Sequence, residues 1–239
     1  MDSTLQERAR ATRRSLLEAA ACLFAEQGYA GTSVNDISAR SGRTSGSVYF
    51  HYASKEGIAL AVVKDRFATW PGLAARYTDR AVPPLERLVA LSYEIARALA
   101  EDTLTRAGAR LWAERDTIDA PLPDPFALWT AAATRLLAQA RAAGHLAHDV
   151  RPAATARTLV RAFFGLCTLT EALEGPHTVT DRLTDWWHLT LLSLQRDADP
   201  AGVVGKARAA ATRQAARRPA DPVRLAGPRA AVELRAARE

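Results

Sequence analysis

The chain has 239 residues with a formal net charge of +6, and 48% of its residues are hydrophobic. Such an apolar fraction excludes a chain that is disordered throughout, and this length can hold one large domain or two smaller ones. The charge is uneven, because residues 200–239 carry nine lysines and arginines against three acidic residues, and the rest carries 23 of each sign. The net positive charge therefore belongs to the C-terminal tail and says nothing about partners of the remaining residues.

Only two cysteines occur, Cys22 and Cys167, and each lies in an apolar pattern of helical spacing. We predict two free thiols in a reducing compartment rather than a disulfide. The N-terminal residues are polar and basic, unlike a signal peptide, and no run of roughly 18 apolar residues occurs that could span a membrane. We therefore expect a cytoplasmic protein without a membrane partner.

Residues 8–28 predict a first helix, because apolar residues recur there at helical spacing. Four arginines crowd its N-terminal end: Arg8, Arg10, Arg13 and Arg14. Two interpretations are open for these arginines, a solvated helix face or contact with DNA phosphates.

Residues 32–52 predict two short helices joined by a tight turn. Thr32 or Ser33 can cap the first helix by accepting a backbone N–H of its first turn. Gly42 can end that helix in the left-handed conformation, and Thr44 can cap the second helix. This arrangement is typical of a helix-turn-helix, whose second helix enters the major groove of DNA.

The remaining apolar patterns predict helices only, with no strand pattern and no internal repeat. The expected helices are 54–70, 84–101, 103–115, 125–143, 152–174 and 179–195. The three prolines between Thr117 and Pro125 predict a loop. From residue 197 to 239 aromatic residues disappear and alanine, arginine and proline dominate, which predicts a mostly mobile basic tail. This tail either adds nonspecific DNA affinity or has no function.

The segment from about residue 8 to 70 resembles the DNA-binding domain of the TetR family of transcriptional repressors. The residues that carry this resemblance are Phe24, Gly28-Tyr29, Thr32-Ser33-Val34, Ile37-Ser38, Ser41-Gly42, Gly46-Ser47-Val48-Tyr49-Phe50-His51-Tyr52 and Lys55-Glu56. A second group resembles, more narrowly, the γ-butyrolactone receptors of the streptomycete type. Its members are Tyr49-Phe50-His51-Tyr52, Pro121-Leu122-Pro123, Pro125-Phe126 and Trp129.

Base reading requires side chains near the N-terminus of the second helix. Arg43 can make a bidentate contact with guanine, and Thr44 and Ser45 can contact thymine methyl groups or phosphate. Many butyrolactone-branch relatives carry lysine at the position of Ser45, and this departure leaves the base-reading role of Ser45 and the operator preference open. The resemblance implies phosphate contacts for Tyr49 and Lys55. The full predicted DNA-binding set is Ser33, Arg43, Thr44, Ser45, Ser47, Tyr49, His51 and Lys55. We assign Phe50 to the core.

The region after residue 70 is expected to dimerise and to sense a ligand. Trp129 matches the tryptophan that butyrolactone receptors use in their ligand cavity, and core packing is the alternative. Three further residues are candidates for the cavity, with core packing again open: Tyr93, Trp112 and Phe163. An apolar pocket with one or two polar donors would suit a small lactone, furan or butenolide. The helices 152–174 and 179–195 either form half of a four-helix dimer interface or pack within one subunit.

The sequence contains none of the common motifs for serine hydrolases, zinc proteases or nucleotide-binding enzymes. His145, His148 and Asp149 lie close in sequence but around a helix end, without further ligands nearby. We therefore predict no enzyme activity, no metal and no cofactor.

These observations predict an all-α fold with three parts: a helix-turn-helix DNA-binding domain at 8–70, a ligand-binding and dimerisation domain at 71–196, and a basic tail at 197–239. The predicted function is a homodimeric TetR-like repressor of a palindromic operator. A small apolar signal would shift the joining helix 54–70 and release the DNA. Two alternatives stay open. One is a regulator of the same build, a pseudo-receptor, that answers an antibiotic or biosynthetic intermediate, and the other is a small-molecule enzyme or carrier with an incidental helix-turn-helix.

Overall fold

The computed structural model describes residues 2–68 and 70–216, and this part of the chain is α-helical. Its helices are α1 (Asp2–Gln27), α2 (Val34–Ser41), α3 (Ser45–Tyr52), α4 (Lys55–Ala68), α5 (Trp70–Ala75), α6 (Pro84–Glu101), α7 (Thr103–Ala113), α8 (Pro125–Ala142), α9 (Pro152–Glu174), α10 (Val179–Leu194) and α11 (Pro200–Ala216). Short 3₁₀ turns occupy Arg115–Thr117 and Pro176–Thr178. No described helix is both long enough and apolar enough to cross a bilayer.

The predicted all-α class is confirmed, and the helix positions agree closely with the sequence patterns. The first helix begins at Asp2, earlier than expected, and the predicted helix 54–70 is α4 followed by the separate short helix α5. Over the described residues the only β pairing is an isolated bridge between Leu146 and Gln195.

The first four helices form a small unit with its own apolar core. Leu16, Phe24, Ile37, Val48 and Ile58 are fully buried in it. The core also contains residues from beyond the unit, because Ala107 and Leu111 of α7 are fully buried against α1 and α4. We call α1 to α4 the head and the helices from α6 onward the body; α7 joins their cores.

Glycine is required at position 28, where the chain leaves α1. Gly28 has φ +77, and a Cβ there would collide with the carboxylate of Glu114. That carboxylate accepts a hydrogen bond of 2.6 Å from the backbone N–H of Tyr29. The guanidinium of Arg110 contacts Glu114 at 3.0 Å and donates to the carbonyl oxygen of Ala25 at 3.1 Å. The end of α1 is thus bonded directly to α7.

A second core lies among α6, α8, α9, α10 and α11. Trp187 of α10 is its largest fully buried residue, and the indole N–H donates to the hydroxyl of Ser92 on α6 at 2.7 Å. The Ser92 hydroxyl in turn donates to the carbonyl oxygen of Val89. This bond fixes α10 against α6 inside an otherwise apolar interior.

Both cysteines are free, as predicted. Cys167 is buried, and burial raises its pKa to about 12. Cys22 is half-buried, and burial raises its pKa as well.

The prediction of a mostly mobile tail from residue 197 is wrong for its first part. Asp199 accepts the backbone N–H of Gly202 at 3.0 Å, and Pro200 begins α11, where a proline needs no hydrogen-bond partner. Val204, Ala207 and Ala211 lie on one helix face and are buried against the body. Small side chains at helical spacing are enough to dock α11, and aromatic residues are not needed. Residues 217–239 lie outside the described part.

We expect Val204→Ala to lower the free energy of unfolding by about 1–3 kcal/mol, because it leaves a cavity between α11 and the body. Arg213→Ala on the exposed side of α11 should change it by less than about 0.5 kcal/mol. Urea denaturation of both variants checks this. Equal unfolding midpoints would mean that α11 contributes no packing to the fold.

Candidate functional site

Local hydrogen bonds set the ends of the helix-turn-helix. The hydroxyl oxygen of Ser33 accepts the backbone N–H of Asp36 at 3.1 Å, and the Asp36 carboxylate accepts the backbone N–H of Ser33 at 2.8 Å. This reciprocal pair caps α2, and hydrogen bonding from Ser33 lowers the pKa of Asp36. Gly42 ends α2 with φ +65, and Thr44 caps α3 by accepting the N–H of Ser47.

The core-facing side of α3 is formed by Val48 and Tyr52, four residues apart. The Tyr52 hydroxyl donates to the carbonyl oxygen of Arg13 at 2.7 Å, and burial raises the pKa of Tyr52 to about 12. The assignment of Phe50 to the core is wrong, since this side chain is 83% exposed. Phe50 lies two positions from both Val48 and Tyr52, which places it on the opposite face of the helix.

The outer face of the helix-turn-helix brings several predicted DNA-binding residues together. Arg43, Thr44 and Tyr49 are exposed, and Ser47 and His51 are half-buried beside them. His51 also meets the Phe50 ring edge to face, with centroids 5.0 Å apart. The exposed side of α3 and the residues just before it are therefore polar and aromatic.

Two members of the predicted set are held by intramolecular contacts. The Ser45 hydroxyl donates to the side-chain oxygen of Asn35 at 3.0 Å, which links α3 to α2. The Lys55 ammonium donates to the carbonyl oxygens of Tyr29 and Thr32 at 3.0 and 3.1 Å and lies 4.0 Å from the Tyr29 ring centroid. An ammonium has three donors, so these carbonyls leave one for another acceptor. The phosphate contact stays a prediction, and in the free protein Lys55 ties α4 to the turn before α2.

A cavity of about 530 Å³ lies between α6, α8 and the segment from Leu73 to Arg80. Trp129 of α8 lines it and also lines a narrow slit of about 40 Å³ deeper in the body. Phe163 of α9 faces the slit, so the structure brings these two predicted ligand residues together. The larger cavity has the volume of a small-molecule site.

The other two predicted ligand residues lie elsewhere. Trp112 lines a separate cleft and meets the Phe126 ring edge to face, with centroids 4.3 Å apart. Tyr93 lies outside the cavity and the slit, and its hydroxyl is hydrogen-bonded to that of Thr184 at 2.8 Å. Burial raises the pKa of Tyr93. In this structure Tyr93 joins α6 to α10.

Sequence patterns did not identify the charged groups of the cavity. Arg80, Arg87 and Arg135 line it, and no carboxylate does among the described residues. A signal for Arg87 was present, because it is a charged residue in a helix whose neighbouring positions are nearly all apolar. Over the same residues no three His, Cys, Asp or Glu side chains are placed to hold a metal ion.

An apolar surface covers the outer side of α9 and α10. Its members are exposed leucines: Leu169, Leu173, Leu189 and Leu192. Gly165 lies on the same side of α9, and a Cβ there would meet nothing within 4 Å. Several exposed leucines on two packed helices are typical of a protein–protein interface.

Comparison with known proteins gives matches along most of the chain. Residues 16–62 match the bacterial regulatory proteins of the tetR family, and residues 82–195 match the tetracyclin repressor-like C-terminal domain. The A-factor receptor protein of Streptomyces griseus is 30% identical over 224 residues, which cover 92% of this chain and 78% of that protein.

Solved structures are similar to this fold. A γ-butyrolactone receptor (ArpA-like protein) is 30% identical and superposes with a TM-score of 0.71, covering 86% of this chain and 98% of that one. CprB from Streptomyces coelicolor, solved in complex with its operator sequence, is 32% identical with a TM-score of 0.74, covering 85% and 98%.

The caps give a test of the local structure that does not involve DNA. We expect Thr44→Ala to lower the free energy of unfolding by about 1 kcal/mol, because the N–H of Ser47 loses its side-chain acceptor. Thr44→Ser keeps that acceptor and should retain most of the stability. Denaturation of the DNA-free protein measures both, and an alanine variant as stable as the serine variant would contradict the cap.

Proposed function

Because the chain belongs to the TetR family of bacterial regulatory proteins, and is a DNA-binding regulator rather than an enzyme, we propose that it is a homodimeric repressor released from a palindromic operator by a small signalling molecule. The observation that supports this most directly is the pairing of an exposed reader helix with a separate cavity in the body. In the proposal, residues 8–70 bind DNA and residues 71–196 bind ligand and partner, and α11 extends the second part. The protein would act in the cytoplasm.

In the proposed DNA complex, the exposed face of α3 enters the major groove. Arg43 precedes the helix and is free to reach a guanine edge, and Thr44 and Ser47 lie on the same first turn. Tyr49, His51 and the remaining donor of Lys55 would contact phosphates. Ser33 and Ser45 lie at the edge of this surface. Their hydroxyls already donate hydrogen bonds within the helix-turn-helix, to Asp36 and Asn35 respectively, so we give them a secondary part in DNA binding. The exposed Phe50 adds an apolar contact that sequence patterns did not suggest.

The leucine surface of α9 and α10 is the proposed dimer interface. Two copies related by a twofold axis would bury it against itself as a four-helix bundle. Such a dimer would present its two α3 helices to successive major grooves, about 34 Å apart. A palindromic operator follows from this symmetry.

The proposed ligand occupies the cavity beside Trp129, with Phe163 at the end of the slit. By similarity to the A-factor receptor protein and the γ-butyrolactone receptor, its class is a γ-butyrolactone, furan or butenolide signal. A guest there would displace α6, which is followed directly by α7. Since α7 packs in the core of the head, its displacement would change the distance between the two heads of the dimer. The α3 helices would then no longer fit successive major grooves, and the operator would be released.

For DNA recognition, we expect Arg43→Ala to lower the preference for operator over random DNA by about 1–3 kcal/mol, because a bidentate contact to guanine is lost. Arg213→Ala removes the same charge on α11 and should leave this preference unchanged. Gel-shift titrations with an operator selected from a random pool check both variants. Steep salt dependence without operator preference in the unmodified protein would refute the repressor.

For the dimer, we expect Leu173→Arg and Leu192→Arg each to convert the protein to a monomer, because a cation would be buried in the interface without a partner. Both positions are already exposed in the single subunit, so its fold should persist. Light scattering after size exclusion gives the mass. Leu5→Arg, also at an exposed leucine, is the control. Leucine variants that keep the dimer mass would place the interface elsewhere.

A further inference from the structure

The cavity beside Trp129 has a distribution of charge that a neutral guest does not require. Its three charged lining residues are Arg80 from the segment before α6, Arg87 from α6 and Arg135 from α8. Arg80 and Arg135 are exposed at the rim, and Arg87 is only 5% exposed. The cavity therefore holds three positive charges, and no acidic side chain among the described residues lines it.

The guanidinium of Arg87 has only neutral hydrogen-bond partners among the described residues. It donates to the side-chain oxygen of Gln139 at 2.6 Å and to the carbonyl oxygen of Tyr77 at 3.3 Å. Its Nε is buried and has no hydrogen-bond acceptor in that part of the chain. Burial lowers the pKa of Arg87, with the exposed Asp79 opposing this. A guanidinium nevertheless stays protonated in proteins, so a buried positive charge lies in the cavity wall with no carboxylate hydrogen-bonded to it among the described residues.

The nearest buried carboxylate is committed elsewhere. Glu94 of α6 is 1% exposed and accepts hydrogen bonds from Arg76 at 2.9 Å and from the Tyr77 hydroxyl at 2.7 Å. It does not line the cavity. The two buried charges of α6 thus have different environments, since Glu94 is paired with a cation and Arg87 is not paired with an anion.

Much of the remaining cavity lining is apolar. Leu91, Leu128, Trp129 and Leu136 line it with several alanines. Trp129 and Gln139 are ten residues apart on α8, which corresponds to about 15 Å along the helix axis. The cavity therefore offers aromatic and aliphatic side chains beside cationic ones, over the length of a small amphiphile.

We propose that the signal bound in this cavity is a carboxylate-bearing amphiphile, with its carboxylate at Arg80, Arg87 and Arg135 and its apolar part against Leu91 and Trp129. The inference rests on the proposed function and changes its ligand class from a neutral lactone to an anion, because an intact lactone carries no charge. The anion would offset the desolvated charge of Arg87 on binding. It would also link the segment before α6 to α6 and α8, since the three arginines come from these three places.

A matched pair of probes separates charge from shape. γ-Decalactone and the 4-hydroxydecanoate formed by its alkaline ring opening share one carbon skeleton, and only the opened form is an anion at neutral pH. Calorimetric titration of the full-length, DNA-free protein should show the hydroxycarboxylate binding at least about tenfold more tightly than the lactone. Shorter and longer homologues of both forms are titrated as well, in case the alkyl chain of the ten-carbon probes does not match the length of the cavity.

Variants of the cavity arginines test whether the preference for the hydroxycarboxylate over the lactone arises in this cavity. Arg87→Gln should lower the affinity for the hydroxycarboxylate at least about tenfold and change that for the lactone little. Arg135→Gln, at an exposed position where folding is not at risk, should lower the affinity for the hydroxycarboxylate by a smaller factor. Arg213→Gln on α11 is the charge-matched control and should bind both probes as the unmodified protein does. Thermal unfolding of each variant confirms the fold.

Three results would overturn the inference: a lactone that binds as tightly as its opened form, a carboxylate preference that survives both Arg87→Gln and Arg135→Gln, or no binding by any hydroxycarboxylate of the series. These outcomes are distinct from failure of the proposed function. Calorimetry is done without DNA, and operator binding is measured separately on the same preparation. If the protein prefers the lactone and releases its operator when the lactone binds, the proposed function stands and the inference of a carboxylate-bearing signal is refuted.

Discussion

The packing of α7 into the core of the head is the constraint on which the rest of the structure depends. Ala107 and Leu111 lie in the segment that matches the C-terminal domain, yet both are fully buried among residues of α1 and α4. Burial of Leu111 alone contributes about 1.5–3 kcal/mol. Arg110 and Glu114 add hydrogen bonds to the backbone at the end of α1. Residues of the body therefore complete the core of the head, and this packing fixes the orientation of the head.

This constraint decides how a signal can cross the molecule. A single joining helix, as the sequence suggested, would allow the head to pivot about α4. With α7 inserted, α1 and α4 both contact it, so the head follows α7 as a packed unit. The helix α7 begins directly after α6, where Asp102 caps it by accepting the N–H of Leu104 at 3.1 Å. Because α6 also forms one wall of the cavity, a displacement of α6 has a short route to the DNA-binding surface.

Sequence patterns correctly predicted the features that depend on residues close together in the chain, such as helix caps and helix ends. The caps at Ser33 and Thr44 and the helix end at Gly42 depend on neighbours within a few residues, and all three are confirmed. The resemblance identified the family, and Trp129 does line a cavity. The errors arose where tertiary packing decides. Phe50 was assigned by its hydrophobicity, although its position relative to Val48 and Tyr52 puts it outside, and α11 was dismissed because its buried face is made of small residues. The arginines of the cavity come from three segments, which no local pattern could bring together.

Arg87 connects the stability of the free protein with the chemistry of its guest. A buried guanidinium without a hydrogen-bonded carboxylate costs free energy of folding, typically several kcal/mol before other hydrogen bonds offset part of it. Replacement by an apolar residue would remove that cost, but it would also release Tyr77 and Gln139, which Arg87 joins. The free protein thus keeps a buried charge that, among the described residues, has no hydrogen-bonded carboxylate, at the contact between the segment before α6 and α8. Any anion that enters the cavity gains most in the conformation that brings all three arginines closest. The attraction between the anion and the three arginines then favours both binding and the conformational change. A neutral guest would lack this attraction and would not couple the two in this way.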